Sequence, residues 1–173
     1  MTHEEQVLCE TARFRVVRHR REAPDGGVLA RDFIEHPGAV TIVPLLDDGR
    51  VCLIKNRRLA VGEQLVELPA GTLEPDEDPL ATAFRELAEE TGYRAEQMEK
   101  IHEFYMSPGI MNERMYLFVA TGLTEGETSL DSGEEIEILP TAWEEAMSMA
   151  CDGRIQDAKS LVGLLLYDRL RRG

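Results

Sequence analysis

Hydrophobic and polar positions change rhythm along the chain. Up to about Ile54 they alternate, or cluster in short apolar runs broken by turn residues, which predicts strands. Phe14, Val16 and Val17 sit among arginines, Pro24, Asp25, Gly26 and Gly27 supply turn chemistry, and positions 28–34 resume an extended pattern. Residues 39–46 have the β-branched content of a buried strand, and Asp47, Asp48 and Gly49 signal a hairpin with residues 51–54 as the returning partner. The period then lengthens. Leu80, Ala83, Phe84, Leu87 and Ala88 recur at helical spacing and predict one apolar face, with Asp78 as N-cap, Pro79 in the first turn and Gly92 as the stop. Further strands are expected near residues 101–105 and 115–120. Two helices close the chain, one opening on a capping box from Thr141 to Glu144, the other running from about Asp157 to Leu170.

Composition sets the frame for these elements. The 173 residues are 43% hydrophobic and 30% charged, a globular balance and enough for one ordinary domain. We expect an N-terminal antiparallel β region over residues 1–37 and a main α/β domain over 38–173. With 19 basic against 33 acidic residues the net charge is −14, which disfavours nucleic acid and membrane surfaces as partners. Cys9, Cys52 and Cys151 have neither zinc-ligand nor redox spacing. The acidic N-terminus shows no signal-peptide pattern, and the apolar run at 39–46 is too short for a span, so a cytoplasmic location is expected.

The candidate chemistry lies on the helix. Glu86 and Glu90 are one turn apart, and Glu89 lies beside them, with Arg85 one turn before Glu89. Like-charged neighbours on a helix destabilise it by a few tenths of a kcal/mol per pair, and a hard divalent cation reverses that sign. An oxygen-only donor set suits Mg²⁺ or Mn²⁺. A solvated acidic face with Arg85 paired to Glu89 is the alternative at this point.

From Gly71 through Glu77 and the run Arg85-Glu86-Leu87-Ala88-Glu89-Glu90 to Gly92, the sequence resembles the Nudix box, G-x5-E-x7-R-E-U-x-E-E-x-G-U, departing only at Tyr93 where an aliphatic residue is usual. The resemblance implies a Nudix α/β/α sandwich with a mixed sheet. It implies Glu86, Glu89 and Glu90 as metal carboxylates, helped by the Ala70 carbonyl, and two or three Mg²⁺ (or Mn²⁺) per site. Arg85 and Glu77 are implied to orient the carboxylates and the loop, and Gly71 to permit a tight exit from the preceding strand. Glu67 and the residues up to Gly71, the loop from Leu73 to Pro79, Ser107-Pro108-Gly109, and the run from Gln156 to Ser160 resemble the ADP-ribose pyrophosphatase branch. That branch implies hydrolysis of ADP-ribose, or a similar nucleoside diphosphate sugar, and an N-terminal region that builds a homodimer and supplies adenine contacts. It implies substrate contacts from Arg58 or Arg57, Glu67, Pro108, Gly109 and Glu113. Glu134, with Glu135 second, would supply the catalytic carboxylate from a loop after the box. The alternatives are a GDP- or UDP-sugar pyrophosphatase and a non-catalytic ADP-ribose-binding module. Such modules usually lack box carboxylates, which are all present here.

Overall fold

The computed structural model describes residues 4–130 and 132–173. The first three strands, β1 (Glu4–Glu10), β2 (Arg15–Glu22) and β3 (Val28–Glu35), form an antiparallel sheet of their own. The β2–β3 turn is closed by Ala23 N–H to Gly27 O at 2.7 Å and Gly26 N–H to Ala23 O at 2.9 Å, with Gly26 at φ 82°. This is the turn that the Pro-Asp-Gly-Gly sequence dictates.

The rest is a mixed α/β sandwich. Its elements are β4 (Ala39–Pro44), β5 (Arg50–Arg58), β6 (Glu63–Glu67), β7 (Ala70–Thr72), α1 (Pro79–Thr91), β8 (Arg94–Tyr105), β9 (Arg114–Thr124), β10 (Ile136–Ala142), α2 (Trp143–Asp152) and α3 (Ala158–Arg171). Strands β7-β4-β9-β8 form a mixed sheet in which β4 and β9 are parallel, and β10-β5-β6 form a second, antiparallel one. Every residue of β4 is buried. Val40 and Ile42 meet Ala83 and Leu87 of α1, while Val43 meets Leu53, Trp143 and Leu164 on the opposite face. Residues buried on both faces explain the continuous apolar run.

Three local expectations are corrected. Residues 51–54 are not the ladder partner of β4, since, among the described residues, the only bridge between the two stretches is an isolated one from Leu45, just past β4, to Val51. Both edges of β4 are taken by β7 and β9, so β5 passes into the second sheet. The inward face of α1 is Thr82, Ala83, Leu87, Glu90 and Thr91, leaving Leu80 and Phe84 41% and 38% exposed. The helix is rotated so that a carboxylate faces inward where simple periodicity places phenylalanine. Finally, the Thr141–Glu144 capping box does not form: Thr141 Oγ1 donates to Leu139 O at 2.8 Å, and α2 starts without a side-chain cap. The other two caps hold, with Asp78 accepting from Leu80 N–H and Asp157 from Ser160 N–H. Gly163 lets α3 settle on the core, because a Cβ there would lie 2.6 Å from Leu68 Cδ1.

Candidate active site

Strand β7 and helix α1 leave Gly71 facing the middle of the helix. A Cβ at residue 71 would fall 1.8 Å from Glu86 Cδ. The glycine is therefore required by the Glu86 carboxylate; its φ is not in the left-handed region, and the expected tight strand exit is not the cause. The next residue back, Ala70, donates its N–H to Glu90 Oε2 at 2.9 Å. Glu90 is only 4% exposed.

Arg85 organises the acids. It gives Nε and Nη2 to the two Glu77 oxygens, each at 2.9 Å, and Nη1 to Glu86 Oε1 at 2.8 Å and Glu89 Oε2 at 2.9 Å. Glu77 also accepts Glu74 N–H at 3.0 Å, which closes the loop that leads into the helix. The Arg85 hydrogen bonds hold Glu77 down at about 2, while burial pushes Glu86 up to about 7 and Glu90 up to about 8. The charges of Glu89 and Glu134 add to the rise at Glu86, and those of Glu86 and Glu134 to the rise at Glu90.

Those hydrogen bonds occupy one oxygen on each of Glu86, Glu89 and Glu90. The other oxygen of each accepts none among the described residues. Mutually repelling carboxylates, of which Glu90 is buried, Glu86 nearly so and Glu89 partly exposed, with unfilled oxygens and no histidine or thiolate among them, fit a hard divalent cation. Their ligand oxygens do not all lie within 4.8 Å of one another. Among the described residues, the His and carboxylate group whose ligand atoms do lie within 4.8 Å of one another is Glu5, His19 and Glu35 in the N-terminal sheet, where Arg15 already pairs with Glu35.

The glutamates form the floor of a cleft of about 770 Å³, within the range of small-molecule sites. Its walls bring together Arg58, Ala70, Gly71, Arg85 and Glu134. The β1–β2 turn, from Thr11 to Arg15, forms the opposite rim with His36 and Asn112. Asn112 Oδ1 accepts His36 N–H at 2.8 Å. The resemblance implies substrate contacts from the N-terminal region as a whole, without singling out this turn or these two residues. The arginines beside Phe14 are the available signal, but strand alternation gives no means of knowing that the turn reaches the cleft of the glutamates.

Other expected contacts lie elsewhere in this chain. Arg57 is exposed and its N–H is bonded to Glu135 O at 3.2 Å, so neither residue lines the cleft. Glu67 is fully buried beneath Arg58, whose Nε and Nη2 donate to it at 2.8 and 2.6 Å. It therefore holds an arginine and does not itself face the cleft. Pro108 and Gly109 sit in a turn where Ile110 and Met111 N–H both reach Ser107 O, outside the cleft. Glu113 lies 3.8 Å from the Nδ1 of His36, a cleft residue, but does not line the cleft itself. Trp143 packs edge-on to Tyr167 and donates to Asp168 at 2.9 Å, a core role.

The NUDIX domain family model matches residues 35–161, a span holding the glycine, the arginine and all four box glutamates. The chain belongs to the Nudix family. Among Nudix relatives, a protein called methanol dehydrogenase activator from Bacillus methanolicus is 37% identical over 83% of this chain and 78% of its own. An ADP-ribose pyrophosphatase from Bacillus subtilis is 38% identical over 80% and 76%. A GDP-mannose pyrophosphatase from Klebsiella pneumoniae is 34% identical over 88% and 76%. The fold matches a crystal structure described as an ADP compounds hydrolase, with a TM-score of 0.85 at 22% identity, covering 99% of this chain and 94% of that one. Nudix hydrolases generally use divalent metal ions, and the carboxylate floor of the cleft is chemically suited to that requirement.

Proposed function

We propose that this Nudix protein hydrolyses the pyrophosphate of ADP-ribose, giving AMP and ribose 5-phosphate. The observation that carries the reading is one cleft holding both the glutamate floor and the Arg58 guanidinium, in a chain 38% identical to an ADP-ribose pyrophosphatase. Glu86, Glu89 and Glu90, with the Ala70 carbonyl, would hold two or three Mg²⁺, with Mn²⁺ an alternative. Bound there, the ions would offset the substrate's charge and acidify the attacking water. Glu134 stands on the cleft wall as the group to orient that water and take its proton; Glu135 lies outside. Arg58 meets the diphosphate. Arg85 and Glu77 fix the carboxylates, and Phe14 and Arg13 on the rim offer an aromatic face and a positive charge to the nucleoside end.

A GDP-linked sugar is the second reading, favoured by the GDP-mannose pyrophosphatase relative. We further propose a homodimer, supported by Val28, Leu59 and Val61, which stand 73%, 85% and 60% exposed. A cytoplasmic setting is supported by three free thiols. No helix among the described residues is long and apolar enough to cross a membrane. The test is a panel of nucleoside diphosphate derivatives with Mg²⁺, scored by released phosphomonoester. ADP-ribose should exceed GDP-mannose at least tenfold in kcat/KM. Equal turnover of the two would defeat the narrower substrate, and no turnover of any would defeat the hydrolase reading.

A further inference from the structure

Behind the cleft wall lies a buried charged network that the hydrolytic reading leaves without a role. Glu67 ends β6 opposite Ile54 of β5, and Arg58 lies four residues further along β5, on the same face as Ile54. The arginine side chain returns along that face and grips both Glu67 oxygens, at 2.8 and 2.6 Å. Glu67 has no exposure to solvent, and a single, half-exposed guanidinium is poor compensation for a carboxylate so deeply placed. A second cation completes the pairing. Lys159, in the first turn of α3 and 6% exposed, gives its ammonium to Glu67 Oε2 at 2.6 Å and to Asp157 Oδ1 at 2.9 Å. Asp157 is fixed in turn by Ser160 N–H and Oγ–H, and Ser160 Oγ accepts Leu68 N–H at 2.7 Å. Two cations and two carboxylates thus form a neutral cluster tying α3 to the strand ends.

We propose that Lys159 and Glu67 are the positioning pair that presents the Arg58 guanidinium to the substrate's diphosphate. This rests on the nucleoside diphosphate reading above. An arginine on the wall of a cleft floored by Glu86, Glu89 and Glu90 is attracted to those carboxylates, where it would compete with the metal. The two-point grip of Glu67 holds it off. Two of its five N–H groups go to Glu67, and the other three bond nothing among the described residues. Lys159 holds Glu67 aimed, so that the grip persists when a diphosphate pulls from the other side. Lys159 touches no cleft surface itself. Its effect on the reaction passes through Arg58.

The test pairs a spectroscopic measurement with a kinetic one on the full chain. In ¹⁵N spectra the Arg58 Nε–H resonance, assigned by its loss in R58A, should be protected from solvent exchange in the wild type. K159Q and the near-isosteric K159M should accelerate that exchange at least tenfold. K159Q retains an amide donor for Glu67 and serves if K159M fails to fold. With ADP-ribose and Mg²⁺, K159Q should lower kcat/KM at least tenfold, chiefly through KM, at temperatures where circular dichroism shows it folded. In an R58A background the same change should alter kcat/KM less than twofold. Unchanged Arg58 exchange in K159Q overturns the proposal, as does an equal kinetic penalty with and without Arg58. If the wild type turns over no substrate, the hydrolase reading fails, while the exchange measurement still decides the positioning of Arg58.

Discussion

Glu86 occupies the space that a side chain on residue 71 would need: a Cβ placed on Gly71 lies 1.8 Å from Glu86 Cδ and 1.9 Å from Oε1. The box glycine and the first metal-type carboxylate, one on a strand and one on a helix, thus depend on each other sterically. G71A should expel the Glu86 carboxylate from its place, with the backbone otherwise able to accept alanine. The expected result is a loss of at least 100-fold in kcat at fixed Mg²⁺ and a destabilisation of about 1–3 kcal/mol, read from activity and denaturant melts. Near-normal kcat in G71A would mean that Glu86 works from some other position.

Burial of Glu90 beside Ala70 has a cost that appears as pH dependence. Burial raises Glu90 to about 8 and Glu86 to about 7, above their common unfolded value of 4.5. A raised carboxylate favours the folded state only while protonated, so this contribution is full below about pH 4.5 and is lost as pH rises through 7 to 8. In EDTA the melting temperature should therefore fall from pH 6 to pH 9. E90Q, whose amide oxygen can still accept Ala70 N–H, should flatten that fall and gain about 2 kcal/mol at pH 9. Mg²⁺ should restore the wild type and leave E90Q little changed. Thermal melts across pH, with and without metal, check both points.

The same two carboxylates couple metal binding to protons. At pH 7 a divalent ion must displace protons held on Glu90 and partly on Glu86, so binding should release protons and tighten as pH rises to about 8. Titration calorimetry in buffers of different ionisation enthalpy measures the release directly. Proton-neutral binding at pH 7 would place the ion away from these two glutamates.

Position separates two adjacent acids on the late loop. Glu134 lines the cleft, and its charge raises both Glu86 and Glu90, whereas Glu135 is exposed outside it with its carbonyl on Arg57 N–H. E134Q should lower kcat by about 10²–10³ with little change in KM, the scale of a lost general base. E135Q should stay within about threefold of wild type. A reversal of the two effects would mean that the loop rearranges when substrate binds.

Much of this site is local in sequence, and that is why it is legible there. Gly71, Glu77, Arg85, Glu86, Glu89 and Glu90 lie on one strand–loop–helix unit, so helical spacing alone brings the acids together and the box pattern fixes their partners. Asp78 and Gly92 mark the helix ends correctly, because caps are set by neighbouring residues. The failures come where tertiary contacts decide. Periodicity counts Phe84 as inward, but Ala70 N–H draws Glu90 in and turns Phe84 outward. Glu67 reads as a cleft contact from its place next to the box, yet a lysine 92 residues away claims it for the interior. The resemblance implies substrate contacts from the N-terminal region, but that the Thr11–Arg15 turn, His36 and Asn112 are the residues lining the cleft is a tertiary relation that no short pattern encodes.

The most direct test of the glutamate floor is hydrolysis of ADP-ribose under single-turnover conditions as Mg²⁺ is raised, in the wild type and in E86Q and E90Q. No cleavage in EDTA is expected, with a metal-dependent rise in the wild type and rates at least 10³-fold lower in both variants at saturating Mg²⁺. Cleavage that persists in EDTA, or variants that match the wild type, would contradict the assignment of metal binding and catalysis to these helix carboxylates.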